Sequence, residues 1–181
     1  MDMTLPHFRY HPDPIRTGSV AESANVCRRC RQARGFIYQG PVYAEQELDD
    51  AICPWCIADG SAAAAFAATF VDEEGLSTDA TEEIHDELCR RTPGYNAWQI
   101  EQWPMCCEDA TAFHAPVGLT ELRRDFRERE GALLNYIRFE MKITGRAAMD
   151  LLESLHLDVG PTAYLFECLH CRRPHFHIDQ P

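Results

Sequence analysis

Two Cys-x-x-Cys pairs, Cys27/Cys30 and Cys53/Cys56, constrain the fold more than any other feature, and twenty-two residues separate them. A two-residue gap lets each pair form a tight knuckle with both sulfurs aimed at one point. Two such knuckles can close a four-thiolate shell around one tetrahedral Zn2+ ion. The chain between them must then double back. Its sequence, Gly35-Phe36-Ile37-Tyr38-Gln39-Gly40-Pro41-Val42-Tyr43, predicts a β-hairpin over 35–43, with two short runs broken by Gly-Pro.

A second chemistry competes for the same thiols. Cys53-Pro54-Trp55-Cys56 has the form of a dithiol redox motif, in which a helix N-terminus lowers the pKa of the first thiol. The preceding residues, EQELDDAI, are not the buried apolar strand such a motif follows, and Cys27/Cys30 would be left without a role. Structural zinc is therefore the expectation for Cys27, Cys30, Cys53 and Cys56.

The chain has 181 residues, nine cysteines and a net charge of −12. That length suits one compact unit in two parts: residues 1–72, an N-terminal arm and the four-cysteine module, and residues 73–181, a helical part with a C-terminal Cys-x-x-Cys hairpin. No apolar run approaches the roughly 18 residues of a membrane helix. The start MDMTLPHFRYHPDP has no basic end followed by an apolar core, so the expected compartment is the cytoplasm. An odd, large number of cysteines in a reducing compartment favours metal ligands and free thiols over disulfides. The acidic charge opposes nucleic acid, whose phosphates repel it. Arg28, Arg29, Arg31 and Arg34 crowd the first knuckle and are expected to balance an anionic zinc–thiolate centre.

Along the chain, Pro6, Pro12 and Pro14 predict an extended arm over 1–25, anchored by Phe8, Tyr10 and Ile15, with His7 and His11 as hydrogen-bonded surface groups. Helices are expected over 60–70, where Phe66 and Phe70 share a face, and over 79–91, capped by Asp79 with an apolar stripe of Leu76, Ile84 and Leu88. Cys89 reads as a free thiol with no activating neighbour in sequence. Tyr95, Trp98 and Trp103 read as core. Strands are expected near 97–103 and 111–115. Further helices are expected over 119–130, from Leu134 to Met141 after an interruption at Gly131, and over 146–155. The end returns to β structure, with a strand at 162–167, a knuckle at Cys168-Leu169-His170-Cys171 and a returning strand at 174–178.

A second centre would use Cys107 with Cys168, Cys171 and one further ligand, drawn from Cys106, His114, His170, His175 or His177, with Cys89 a more distant candidate thiol. Adjacent cysteines diverge in an extended chain, so Cys106 and Cys107 enter one tetrahedron only with local distortion. The alternative is a set of semi-buried free thiols. A three-thiolate version would leave the open position that catalytic zinc requires.

LPHFRYHPDPIRTGS at 5–19, GFIYQGPVY at 35–43, CPWCIADGSAAAAF at 53–66, RTPGYNAWQ at 91–99, W-x-x-C-C at 103–107 and YLFECLHC at 164–171 resemble the CbrC family of bacterial proteins. The resemblance implies a bacterial setting connected with tolerance to colicins, and it implies no catalytic residues. There is no Gly-rich phosphate loop, G-x-S-x-G elbow or H-E-x-x-H helix. The expected fold is α+β: a zinc-knuckle β-hairpin module packed on a helical part, with a C-terminal β-hairpin knuckle. The expected function is a non-enzymatic, zinc-stabilised interaction protein with a protein partner. The enzymatic alternative is a thiol oxidoreductase at Cys53/Cys56 or a zinc hydrolase near Cys107, Cys168 and Cys171.

Overall fold

A three-stranded antiparallel sheet separates two of the three hydrophobic cores. The computed structural model describes residues 4–181, so residues 1–3 of the expected arm lie outside the described residues. The sheet has the order β5 (Ala112–Val117), β6 (Thr162–Glu167), β7 (Pro174–Asp179). Side chains alternate along a strand, and both faces of β6 are buried. Tyr164 and Phe166 enter an aromatic core with Tyr95, Trp103 and Phe113. Ala163 and Leu165 enter a helical core with Leu122, Ile137 and Leu152. In β5 a bulge between Phe113 and Ala115 resets the alternation, so Phe113 faces the aromatic core while Ala115 and Val117 face the helical one.

The helical core is covered by α4 (Leu119–Asp125), α5 (Glu130–Phe139) and α6 (Gly145–Ser154). The break in the expected 119–130 helix falls at Phe126, with φ −136° and ψ 34°, and a 310 turn (Arg127–Arg129) leads into α5. Gly131 lies inside α5 and interrupts nothing.

The third core belongs to the N-terminal part: Phe8, Val20, Ile37, Tyr38, Leu48, Ile52, Ile57 and Phe70. Here the expected 35–43 hairpin is not formed. β2 (Phe36–Tyr38) pairs instead with β1 (Val20–Glu22), from within the arm, and Tyr43 forms its bridge with Thr69. Pro41 supplies no amide to a ladder, which weakens a local return strand. The helix expected over 60–70 is the shorter α2 (Ser61–Phe66), which stops at Ala67 in the left-handed region (φ 49°), and a separate short helix, α1 (Pro54–Ala58), precedes it. Phe70 lies beyond α2, fully buried, with its ring edge-on to Tyr38.

Helix α3 (Glu82–Arg91) begins three residues later than expected, because Thr81 rather than Asp79 is its cap: the Thr81 hydroxyl accepts from the Ile84 amide at 3.4 Å. A turn holds Asp79 outside the helix, its amide donating to Ser77 Oγ at 3.2 Å. Phe8 and Tyr10 anchor the arm as expected, but Ile15 is exposed. His11 is fully buried rather than superficial. Its Nδ1 lies 2.7 Å from the Pro93 carbonyl, which fixes the proton there, and Nε2 accepts from Thr17 Oγ1 at 2.7 Å. His7 is exposed. Tyr95 and Trp103 are core, whereas Trp98 is 40% exposed and donates to Thr162 Oγ1. No strand forms over 97–103, where Trp103 makes only an isolated bridge with Leu76.

Glu101 is the buried joint between the N-terminal and aromatic cores. Its carboxyl oxygens accept from the amides of Tyr95 (2.6 Å) and Asp72 (3.1 Å) and from the Tyr43 hydroxyl (3.4 Å). Gly94 is required beside it: a Cβ there would stand 2.1 Å from the Phe70 carbonyl and 2.5 Å from Glu101 Oε1.

Candidate metal centres

Four sulfurs converge at each of two places. At the first, Cys27 and Cys30 follow β1. The Cys27 amide donates to the Gln32 carbonyl (3.0 Å), and the Arg31 amide donates to the Cys27 carbonyl (2.8 Å). Arg31 takes a left-handed conformation, φ 59°, to close this knuckle. Cys53 arrives because residues 51–52 run beside β2 and the knuckle: the Tyr38 amide donates to the Ile52 carbonyl and the Arg28 amide to the Ala51 carbonyl. Cys53 is then the N-cap of α1, with Pro54 in its first turn, and the helix carries Cys56 round to the same side. Cys27, Cys30, Cys53 and Cys56 have their sulfurs within 4.8 Å of one another, and Cys30 Sγ lies 3.9 Å from Cys53 Sγ. A zinc–sulfur distance of about 2.3 Å gives a tetrahedron with edges of about 3.8 Å. A disulfide needs about 2.05 Å, and all nine cysteines are free.

The second place repeats the knuckle. The Cys168 amide donates to the Arg173 carbonyl (2.9 Å), the Arg172 amide to the Cys168 carbonyl (3.1 Å), and Arg172 has φ 60°. Opposite stands a short hairpin of β3 (Met105–Cys106) and β4 (Asp109–Ala110), in which Cys106 pairs with Asp109. Its two loop residues, Cys107 and Glu108, have φ 54° and 62°. Positive φ at both loop positions is the type I′ arrangement. That turn supplies the distortion two adjacent cysteines need: Cys106 Sγ lies 3.8 Å from Cys107 Sγ and 3.7 Å from Cys171 Sγ. Cys106, Cys107, Cys168 and Cys171 form a four-thiol group, so the fourth member left open by the sequence is Cys106 and not a histidine.

The histidines serve otherwise. His170 Nε2 lies 2.8 Å from Asp109, which also accepts from the Tyr10 hydroxyl (2.8 Å) and is paired with Arg9. Burial opposes ionisation of Asp109, but Tyr10, His170 and Arg9 outweigh it and hold the carboxyl below its usual range. This carboxylate ties the arm to both halves of the second thiol group. His177 stacks on Tyr164, and His175 Nε2 is buried without a hydrogen-bond partner. His114 is half-buried.

The two thiol groups differ in exposure. Cys27, Cys53 and Cys56 are buried and Cys30 half-buried, whereas Cys107 and Cys171 are exposed. The thiols drawn toward ionisation are Cys27 and Cys168. Cys53 and the amides of Cys30, Cys53 and Arg29 outweigh burial and draw Cys27 down to about 4. Burial raises Cys168, but the amides of Cys171 and His170 prevail and bring it down to about 6. Their partners move upward: Cys27 and burial push Cys53 up, burial takes Cys56 to about 11, and Cys107 is raised chiefly by Cys171. The arginines of the first knuckle brace it. Arg28 donates to the Glu47 carbonyl, Arg29 to the Ser61 carbonyl, and the Arg34 guanidinium lies 4.1 Å over the Trp55 ring.

Fold and sites together define an α+β protein with two four-cysteine clusters, each able to hold one metal ion. The sequence profile of the uncharacterised protein family UPF0167 matches residues 5–180, and the chain belongs to that family. It is 42% identical to the UPF0167 protein PA1536 of Pseudomonas aeruginosa over 99% of both chains. It is 45% identical to the UPF0167 proteins Mb2317 of Mycobacterium bovis and MT2352 of Mycobacterium tuberculosis, over 92% of this chain and 89% of theirs. No solved structure matches it.

Proposed function

We propose that the protein is a non-enzymatic interaction protein whose fold is held by two structural Zn2+ ions, one on Cys27, Cys30, Cys53 and Cys56 and one on Cys106, Cys107, Cys168 and Cys171. The carrying observation is closure: each group offers four thiols, which completes a tetrahedral shell and leaves no position for substrate. An oxidoreductase at Cys53/Cys56 is disfavoured, because Cys27 and Cys30 converge on the same two thiols and would have no role in a dithiol exchange. A hydrolase near Cys107, Cys168 and Cys171 is disfavoured because Cys106 fills the position it would need open. Free thiols suit a reducing cytoplasm. No helix among the described residues is long and apolar enough to cross a membrane. The net charge of −12 favours a protein partner with a basic face over nucleic acid. The resemblance to the CbrC family supports a setting of stress response or colicin tolerance.

Native mass spectrometry of protein purified without chelator should find two tightly held zinc ions per chain. Cys53→Ser should lose one of them together with thermal stability. A folded, metal-free chain, or a Cys53→Ser variant with unchanged zinc, would overturn the reading.

A further inference from the structure

Away from the two thiol clusters, three different donors meet between α3 and the 310 turn Glu73–Gly75. The ligand atoms of Glu73, His85 and Cys89 all lie within 4.8 Å of one another. His85 and Cys89 are four apart on α3 and so share a helix face, with Nε2 and Sγ 4.0 Å apart. A tetrahedral zinc with one imidazole and one thiolate sets that edge at about 3.6 Å, within reach of a small side-chain rotation.

Glu73 is brought to them by construction. The Phe70 amide donates to the carbonyl of Cys89 itself at 2.7 Å. The Asp72 amide donates to buried Glu101, and the Asp72 carboxylate caps the turn by accepting from the Glu74 amide at 2.9 Å. The turn bearing the carboxylate is thus pinned to the helix bearing the other two donors.

Two of the three donors, Glu73 and His85, line clefts open to solvent, whereas the Cys89 thiol is fully buried. A cleft of about 640 Å3 is lined by Glu73, and a neighbouring one of about 600 Å3 by His85. Arg90 and Arg91 line both and engage the nearby Asp86 at 3.2 Å each, so that carboxylate is not a competing ligand. On binding, the buried Cys89 thiol releases its proton to solvent, and the resulting thiolate with one carboxylate neutralises a divalent cation.

We infer that Glu73, His85 and Cys89 form a third metal site, for one borderline divalent cation of the zinc type, with water in an exchangeable fourth position. Nitrogen, sulfur and oxygen donors from three side chains with one place open match the donor count of catalytic zinc, unlike the closed four-thiol clusters. The site is independent of the two structural ions and binds more weakly, because one ligand is an exposed carboxylate.

The test is a Co2+ titration of the full chain with both four-thiol clusters already zinc-loaded, followed by visible absorption and by metal analysis of bound and released ions. One further equivalent should bind without zinc release, with a sulfur-to-cobalt charge-transfer band. His85→Ala, at a half-buried position, should weaken uptake at least about tenfold while keeping two zinc ions and the wild-type melting temperature. Glu73→Gln should weaken uptake too, and Cys89→Ser should abolish the band. No further equivalent, uptake matched by zinc release, or uptake unchanged in His85→Ala would each overturn the inference. The two-zinc reading fails by a different observable, the zinc content before any cobalt is added.

Discussion

Two buried ionisable residues give stability opposite dependences on pH. Burial raises the carboxyl of Glu101 from 4.5 to about 8, against the two amides that favour its charge. The folded chain therefore keeps a proton that the unfolded chain has already released. That contribution is whole below about pH 4.5 and is lost as pH rises towards 8. Burial lowers His11 from 6.5 to about 4, so the folded imidazole stays neutral where the unfolded one is charged. Its contribution is present above pH 6.5 and is lost as pH falls towards 4. In chemical denaturation at fixed metal loading, Glu101→Gln should flatten the decline between pH 5 and 8, and His11→Asn should flatten the acid-side decline. Glu101→Ala should cost more, about 1–3 kcal/mol for each amide left buried and unpaired.

At the scale of elements, the same device recurs in two forms. Each cluster has one knuckle closed by a left-handed arginine, Arg31 or Arg172. The opposing pair comes from a helix start in one case and from a two-residue hairpin in the other. The helix start is cheap, because Cys53 and Pro54 suit the N-cap and the first turn. The hairpin is not, since Cys107 and Glu108 both carry a Cβ in the left-handed region. Strain of this kind persists only where the surroundings over-determine it, and here four converging thiols do so. Glu108 belongs to neither four-cysteine cluster. Glu108→Gly should therefore raise stability by about 0.4–1 kcal/mol, read from denaturant midpoints, with zinc content unchanged.

For the whole molecule, the order in which the two proposed zinc ions are lost should follow burial. The C-terminal cluster presents Cys107 and Cys171 to solvent, while three of the four N-terminal thiols are buried inside a hydrophobic core. A chelator should draw zinc in two phases. Cys107→Ser should remove the fast phase and leave the fold largely intact. Cys53→Ser should remove the slow phase and unfold the N-terminal part, because structural zinc contributes about 10–16 kcal/mol of apparent binding energy to small metal modules. Stopped-flow zinc release with far-ultraviolet circular dichroism checks this, and release in the reverse order would contradict it. The Asp109 junction adds a coupling. Arg9 and Tyr10 of the arm meet His170 of the second knuckle there, so loss of the C-terminal ion should also loosen the arm.

Local chemistry was enough to determine the parts. Spacing alone put Cys27, Cys30, Cys53 and Cys56 together, since a two-residue gap has few ways to aim two sulfurs. Periodicity located α6 to within a residue and β6 at its observed bounds, because each turns a continuous apolar face to a core. Only the tertiary structure decided which parts meet. β2 takes its partner from the arm because long-range pairing with Val20–Glu22 outcompetes a local return through Pro41. Cys106 joins Cys107 because a type I′ turn reverses the chain between them and Asp109, and β-branching, charge and apolar pattern carry no trace of that turn. Glu73, His85 and Cys89 converge through a backbone bond from Phe70 to Cys89. Contacts of this kind depend on how finished elements pack, and no run of neighbouring residues encodes them.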